Sequence, residues 1–230
     1  PPDAMTADQA TLVAELFGTF MLVFFGAGAV MTTNFPKADF GLLGIALAHG
    51  LAFAIAISAT MAISGGHLNP AITAGMLAIK RIDAKSALLY IAAQLLGAVL
   101  AAMTIKSVLP GGVTKVLAMG TPTIAATITL GQAITIEAIL TFFLMSAFLA
   151  TVVSAERPKI AGFGVGLTLF VAMLFGGSLT GAALNPARAF GPALVAGQWI
   201  SQAVWWVGPL LGALVAAFLW EKGLFAKATD

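Results

Sequence analysis

Cysteine is absent from the chain, so no disulfide framework and no thiol chemistry are available to it, and the redox compartment goes unsignalled. Histidine occurs only at His49 and His67, and no metal-ligand cluster can be assembled from the sequence, which disfavours an enzyme. Charge is scarce as well. Charged residues make up 9% of 230 positions, where a soluble domain carries roughly a quarter. With 60% hydrophobic residues and a mean hydropathy of +1.03, such a chain is solvated by lipid. The net charge of +2 is small and the basic residues are scattered, which gives no nucleic-acid signature. The opening Pro1-Pro2-Asp3-Ala4-Met5 lacks the basic-then-apolar order of a secretory leader.

What is present is apolar sequence in measured lengths. A bilayer-spanning helix needs about 20 mostly apolar residues, and six stretches qualify, near 9–31, 42–63, 84–106, 130–153, 160–178 and 200–221. Turn-forming residues punctuate the breaks at 32-TTNFPKADFG-41, 107-SVLPGGVTKVLAMGTPT-123 and 154-SAERPK-159. The 107–128 connection is the longest and is expected to fold over one face of the bundle. Two further apolar stretches, Pro70–Ile79 and Pro186–Ala196, are too short to span. At ~1.5 Å per residue, ten helical residues reach roughly 15 Å, half the ~30 Å hydrocarbon core. Each begins Asn-Pro, with Asn as cap and Pro at the first helical position, and Pro192 is expected to bend or end the second.

These two short stretches belong to a repeat. The segment 64-SGGHLNPAITAG-75 has its counterpart in 180-TGAALNPARAFGP-192, 116 residues later. Around them, 93-AQLLGAVLAA-102 matches 208-GPLLGALVAA-217, and 15-ELFGTF-20 matches 137-EAILTF-142. The chain therefore reads as one domain over 1–230 built from two copies of a three-span unit, about 9–106 and 130–221. Three is odd, so the second copy inserts upside down relative to the first. The expected fold is an all-α membrane protein with six transmembrane helices, two re-entrant half-helices and two inverted three-span repeats. Inverted repeats with broken helices are a transport architecture, with the working site at the repeat interface. Lys80, Arg81, Lys85, Arg157, Lys159, Lys222 and Lys227 fall on one side, against Lys37, Lys106 and Lys115 on the other. The positive-inside rule then places both termini in the cytoplasm.

Inverted symmetry brings the two half-helices in from opposite faces, so their N-termini meet near mid-membrane. Non-helical backbone at that depth is tolerated only where it is buried in protein or lines a wet cavity. The carbonyls of the loops ahead of each turn, at Gly65, Gly66, His67, Gly181 and Ala183, are thus candidates to line a pore. Asn69 and Asn185 can each offer an N–H to a passing molecule, and two helix N-termini direct partial positive charge at the same spot. Such a site rewards a neutral hydrogen-bond acceptor and repels cations. An isolated Asn-Pro is usually only a cap and a turn. Two copies in register, each leading a half-length helix, point to a constriction.

Taken together, Asn69-Pro70-Ala71, Asn185-Pro186-Ala187 followed by Arg188, six spans and the duplicated Glu-x-x-x-Thr resemble the aquaporin (major intrinsic protein) family over nearly the whole chain. The resemblance implies a passive channel for water, open in some members to small neutral solutes, closed to protons and cations, and needing no cofactor. It also implies a homotetramer with one pore per subunit, set in a lipid bilayer, here the cell membrane. By spacing from the motifs, the family's four-residue filter maps to His49, Met173, Ala182 and Arg188. His49 stands where strict water channels carry an aromatic residue and resembles the vacuolar-type subfamily, whose members often admit ammonia, urea or peroxide. Met173 departs further, placing a long apolar side chain where many members carry His or a small residue. Within the family, Ala189, Ala193 and the paired Trp205-Trp206 lean toward water rather than glycerol.

Glu15 and Glu137 occupy matched positions in the first and fourth spans. Intramembrane carboxylates can mark proton relays, which is the way an ion-coupled carrier would enter. The favoured reading is that each braces a re-entrant loop by accepting hydrogen bonds from its backbone. His67 and Gln94 read as further braces, and Gly44, Gly97, Gly164, Gly166 and Gly212 as close helix crossings. A glycerol-type facilitator of the same fold is the alternative function, and an ion-coupled secondary transporter the more distant one.

Overall fold

A computed structural model describes residues 5–155 and 158–223. Two of the cations used for orientation, Arg157 and Lys227, lie outside the described residues, as do Pro1 to Ala4. Among the described residues every regular element is helical: α1 (Ala7–Thr32), α2 (Gly41–Ser64), α3 (Pro70–Ala78), α4 (Ala84–Val108), α5 (Gly111–Val116), α6 (Leu130–Phe148), α7 (Gly162–Thr180), α8 (Pro186–Ala196) and α9 (Val204–Glu221). A π-helical turn, Leu149–Val153, continues α6. Six helices are long and apolar enough to cross a membrane, namely α1, α2, α4, α6 with its π turn, α7 and α9.

The start signals are duplicated along with the spans. Thr6 caps α1 and Thr129 caps α6, each in a capping box closed by a glutamine three residues on, Gln9 and Gln132. Asp83 caps α4, accepting from the Ser86 N–H at 3.0 Å and the Ser86 hydroxyl at 2.6 Å. These two donors hold its carboxyl below the ordinary carboxylate range.

Packing follows the repeat. Helix α1 packs on α2 and α4, α6 packs on α7 and α9, and α2 against α7 joins the two sets. A Cβ on Gly97 would strike the Leu16 carbonyl, and one on Gly212 the Ala138 carbonyl, so the two glycines bring α4 onto α1 and α9 onto α6 in the same way. Gly50 and Gly166, also 116 residues apart, face each other's carbonyls across the α2–α7 contact. Gly44 does not serve a helix crossing: its missing side chain makes room for the ring of Phe40, at the start of its own helix.

The half-helices cross over between sets. α3 lies on α9 and α8 lies on α4, so each is supported by the last span of the other repeat. Pro192 sits inside α8 without ending it. The helix forgoes one N–H there and runs on to Ala196, where Gly197 closes it in the left-handed conformation at φ 71°. The last span begins at Val204, a few residues beyond its expected start, because residues 199–203 form turns bonded Gln202 N to Trp199 O and Val204 N to Ser201 O. The long connection folds onto the bundle as expected, with α5 and the short 3-10 turn Ala118–Gly120 laid over α1, α4 and α8.

Candidate functional site

Each half-helix starts from an extended asparagine, Asn69 at φ −158° and Asn185 at φ −147°. The Asn69 Oδ1 accepts from the Ala71 N–H at 2.8 Å, and the Asn185 Oδ1 from those of Ala187 and Arg188 at 2.9 and 3.3 Å. The amide nitrogens reach across the repeat. Asn69 Nδ2 donates to the Leu184 carbonyl at 2.9 Å and Asn185 Nδ2 to the Leu68 carbonyl at 2.9 Å. This reciprocal pair is what joins the two helix starts. One N–H of each amide is thereby committed and one remains, since a carboxamide carries two.

The two acceptor leucines stand in the left-handed region, Leu68 at φ 51° and Leu184 at φ 53°. That conformation costs an L-residue about 1–2 kcal/mol, and it turns the leucine carbonyl toward the opposite asparagine. Two carboxylates hold the loops in place. Glu15 accepts from the Ser64 hydroxyl (2.6 Å), the His67 N–H (3.0 Å), the Leu68 N–H (2.7 Å) and the Gln94 amide (2.7 Å). Glu137 accepts from the Thr180 hydroxyl (2.7 Å), the Ala183 N–H (3.1 Å) and the Leu184 N–H (2.8 Å). Both glutamates are fully buried. A buried carboxylate and a set of orphaned loop N–H groups are each costly alone, and here each satisfies the other. The Pro209 position of the second repeat, equivalent to Gln94, has no side-chain donor to give, which is why Glu137 has one partner fewer.

Hydroxyl and ring groups extend the bracing. Thr73 donates to the Asn69 carbonyl (3.1 Å) and accepts from Gln94 (3.0 Å), and His67 Nδ1 lies 3.2 Å from the same hydroxyl. Tyr90 donates to the Ser64 carbonyl and Trp205 to the Thr180 carbonyl, both at 2.9 Å, at equivalent places of the two repeats. Among the described residues, no donor reaches the carbonyls of Gly65, Gly66, His67, Gly181, Ala182 or Ala183. Gly66, His67, Ala182 and Ala183 are buried residues, and buried carbonyls are rarely left so.

Arg188, 2% exposed, lies one helical turn beyond Asn185. Its Nη1 donates to the Gly120 carbonyl at 3.0 Å and its Nη2 lies 3.2 Å from His49 Nε2, while Nε has no partner. Arginine has no acceptor, so His49 Nε2 must accept, and the imidazole proton sits on Nδ1, donated to the Ile45 carbonyl at 2.9 Å. Met173, 2% exposed, and Arg188 line a cavity of about 150 Å³ together with Gly120 and Pro122. Ala182 is fully buried beside Gly176 of α7.

The structure thus brings together Asn69 and Asn185, His49 and Arg188, and each glutamate with its loop. Sequence reasoning missed Gly120, Ser64, Thr180, Thr73 and the Tyr90/Trp205 pair. Ser64 and Thr180 were findable, since a hydroxyl opens both copies of the repeated motif. Gly120 was not, because its role is played by a backbone carbonyl in a loop with no motif.

An all-helical membrane protein in which two half-helices meet through reciprocal asparagine–carbonyl bonds is a narrow class, and comparison with known proteins agrees with it. The sequence model of the major intrinsic protein family matches residues 5–220. Aquaporin TIP4-4 of Zea mays is 43% identical over 93% of this chain and 86% of its own length, and aquaporin TIP4-1 of Arabidopsis thaliana is 44% identical over 98% and 89%. The lens fiber major intrinsic protein of Oryctolagus cuniculus is 38% identical over 94% and 81%. Among solved structures, the aquaglyceroporin from Plasmodium falciparum superposes with a TM-score of 0.85 at 27% identity, covering 94% of this chain and 96% of that one. The chain belongs to the major intrinsic protein family and is an integral membrane protein.

Proposed function

We propose that the chain is a passive channel for water that excludes protons and cations, and that it is a single channel domain over 1–230 with repeats at about 9–106 and 130–221. The observation that carries this reading is the reciprocal bond pair between Asn69 and Leu184 and between Asn185 and Leu68. It leaves one N–H on each amide at the meeting point of two helix N-termini. A water molecule there accepts from both amides and uses both lone pairs. It can then accept no proton from a neighbouring water, so the hydrogen-bonded file is interrupted, and the positive helix ends repel cations. The unpartnered carbonyls of Gly65, Gly66, His67, Gly181 and Ala183 supply acceptors along the path on either side.

His49, Met173, Ala182 and Arg188 form the filter in this reading. Arg188 supplies its fixed charge, while Met173 and Ala182 present an apolar wall. That unequal ring supports a second capacity, passage of small neutral solutes, and the likeness to a protein named an aquaglyceroporin points the same way. The apolar side chains exposed on the spans, such as Leu88, Val171 and Phe175, suit lipid and neighbouring subunits, and the assembly is a homotetramer. Both termini are cytoplasmic and the host bilayer is the cell membrane.

Stopped-flow light scattering on proteoliposomes tests the proposal. Shrinkage in a sucrose gradient faster than that of empty vesicles, with no acidification under an imposed pH gradient, is expected. Parallel gradients of glycerol and urea separate the strict from the broader channel. Permeability equal to that of empty vesicles, with incorporation verified, overturns the reading.

A further inference from the structure

Several buried glycines of the bundle are there for the backbone, while Gly18, Gly26, Gly75 and Gly176 face side chains. An added Cβ at Gly97, Gly191 or Gly212 would strike a main-chain carbonyl of the facing helix. Gly26 of α1 differs. The three atoms nearest its missing Cβ all belong to the His49 imidazole: Cδ2 at 2.5 Å, Nε2 at 2.6 Å and Cγ at 2.9 Å. The space that Gly26 leaves is occupied by the filter histidine.

The second repeat shows that the fold does not demand a glycine there. In the register set by Glu15/Glu137 and Thr19/Thr141, Gly26 corresponds to Phe148. In the register set by Gly50/Gly166, His49 corresponds to Val165. The large and small residues are exchanged: Gly with His in one repeat, Phe with Val in the other. Phe148 is 1% exposed and Val165 fully buried, so the large side chain on the first helix is well accommodated. Two packings satisfy the same geometry, and only the first delivers an imidazole to Arg188.

The next residue supports the other partner of the arginine. A Cβ on Gly120 would come within 2.9 Å of the Ala27 carbonyl, so the turn that holds Arg188 Nη1 rests on α1 beside Gly26. Both contacts of the guanidinium are therefore set from this one step of α1.

We infer that Gly26 is a selectivity-determining positioning residue of the channel, acting by fixing how far the His49 imidazole stands back from the opening. This rests on the proposed channel function. A methyl at position 26 forces the ring to retreat from α1 by roughly 1 Å to restore ordinary contact distance. Nε2, one of the crowded atoms, is also the atom that meets Arg188 Nη2 at 3.2 Å, so displacing the ring disturbs the guanidinium contact and, in the proposed filter, narrows the opening.

The test is a double-mutant cycle in proteoliposomes with Gly26→Ala, His49→Ala and the pair. Gly26→Ala alone is expected to lower water permeability per incorporated channel about fivefold. In the His49→Ala background the same change should alter it less than twofold, because no ring remains to be displaced. Equal losses in both backgrounds would mean a merely structural glycine and overturn the inference, as would an unchanged Gly26→Ala channel. The ¹⁵N resonance of His49 Nε2 gives a readout independent of transport. It should shift in Gly26→Ala, because a displaced ring cannot keep the 3.2 Å contact with Arg188 Nη2 unchanged, and an unmoved resonance counts against the inference. If the unmutated protein conducts no water, the channel reading fails by itself while the resonance still reports on positioning.

Discussion

His49 Nε2 accepts from Arg188 Nη2 at 3.2 Å, with the histidine proton committed to the Ile45 carbonyl on the other side of the ring. The arginine has a second anchor at Gly120 and a free Nε, so its charge is fixed in direction as well as place. Removing it in Arg188→Val empties the proposed filter of its cation and its bulk. Urea permeability in proteoliposomes should rise about tenfold, equivalent to ~1.4 kcal/mol off the barrier. Unchanged solute selection would take Arg188 out of the filter.

Asn185→Asp keeps the acceptor that caps α8 and replaces the donor that reaches Leu68. A carboxylate oxygen then faces a carbonyl oxygen at the meeting point, the cross-repeat bond is lost, and negative charge is added where cations are turned away. Sodium leak measured by ²²Na uptake is expected to increase by roughly an order of magnitude, with a loss of about 1–3 kcal/mol in stability. A variant as tight to sodium as the parent argues against the exclusion mechanism.

Glu137→Gln converts an acceptor-only group into one that also presents N–H donors. Three donors surround it, from Thr180, Ala183 and Leu184, so one of them must face another donor. A loss of about 2–4 kcal/mol is expected, read as a lower thermal midpoint in detergent. Tyr90→Phe removes a single neutral donor from the Ser64 carbonyl and should cost about 1 kcal/mol. Equal effects of the two changes would contradict the bracing role given to the carboxylate.

Asp83 carries a pH dependence whose sign can be worked out. The Ser86 donors depress its carboxyl in the folded state below its ordinary 3.8. The contribution to capping α4 is therefore present above the unfolded value and is lost as pH falls through the folded one. Protection from hydrogen exchange at the first turn of α4, taken relative to the intrinsic rate at each pH, should fall on acidification below about 3.8, and Asp83→Ala should abolish that fall. An acid response surviving in the alanine variant would place its origin elsewhere.

Much of this was legible in the residues because membranes impose few solutions. Span lengths, the Asn-Pro starts and the paired glutamates are local signals, and α8 ends at the residue where its apolar run ends. The unread parts are those in which backbone acts on side chain at long range. No pattern foretells that the Gly120 carbonyl meets Arg188, since any residue in that turn has a carbonyl. Gly44 was misread because small residues look alike in sequence whether they face a helix or their own Phe40. Pro192 reads in sequence as a place to bend or end α8, but a helix already buried against α4 can lose one hydrogen bond and continue.

The exchange of half-helices between repeats also sets an order in time. α3 emerges early in synthesis, yet it rests on α9, the last span to be made, and its asparagine waits for a carbonyl at Leu184. The centre of the molecule is therefore finished only after α9 has been made. Until then the ribosome holds two incomplete halves, and in a nascent chain stopped short of Val204 the first half-helix has α4 beside it but lacks its main support on α9.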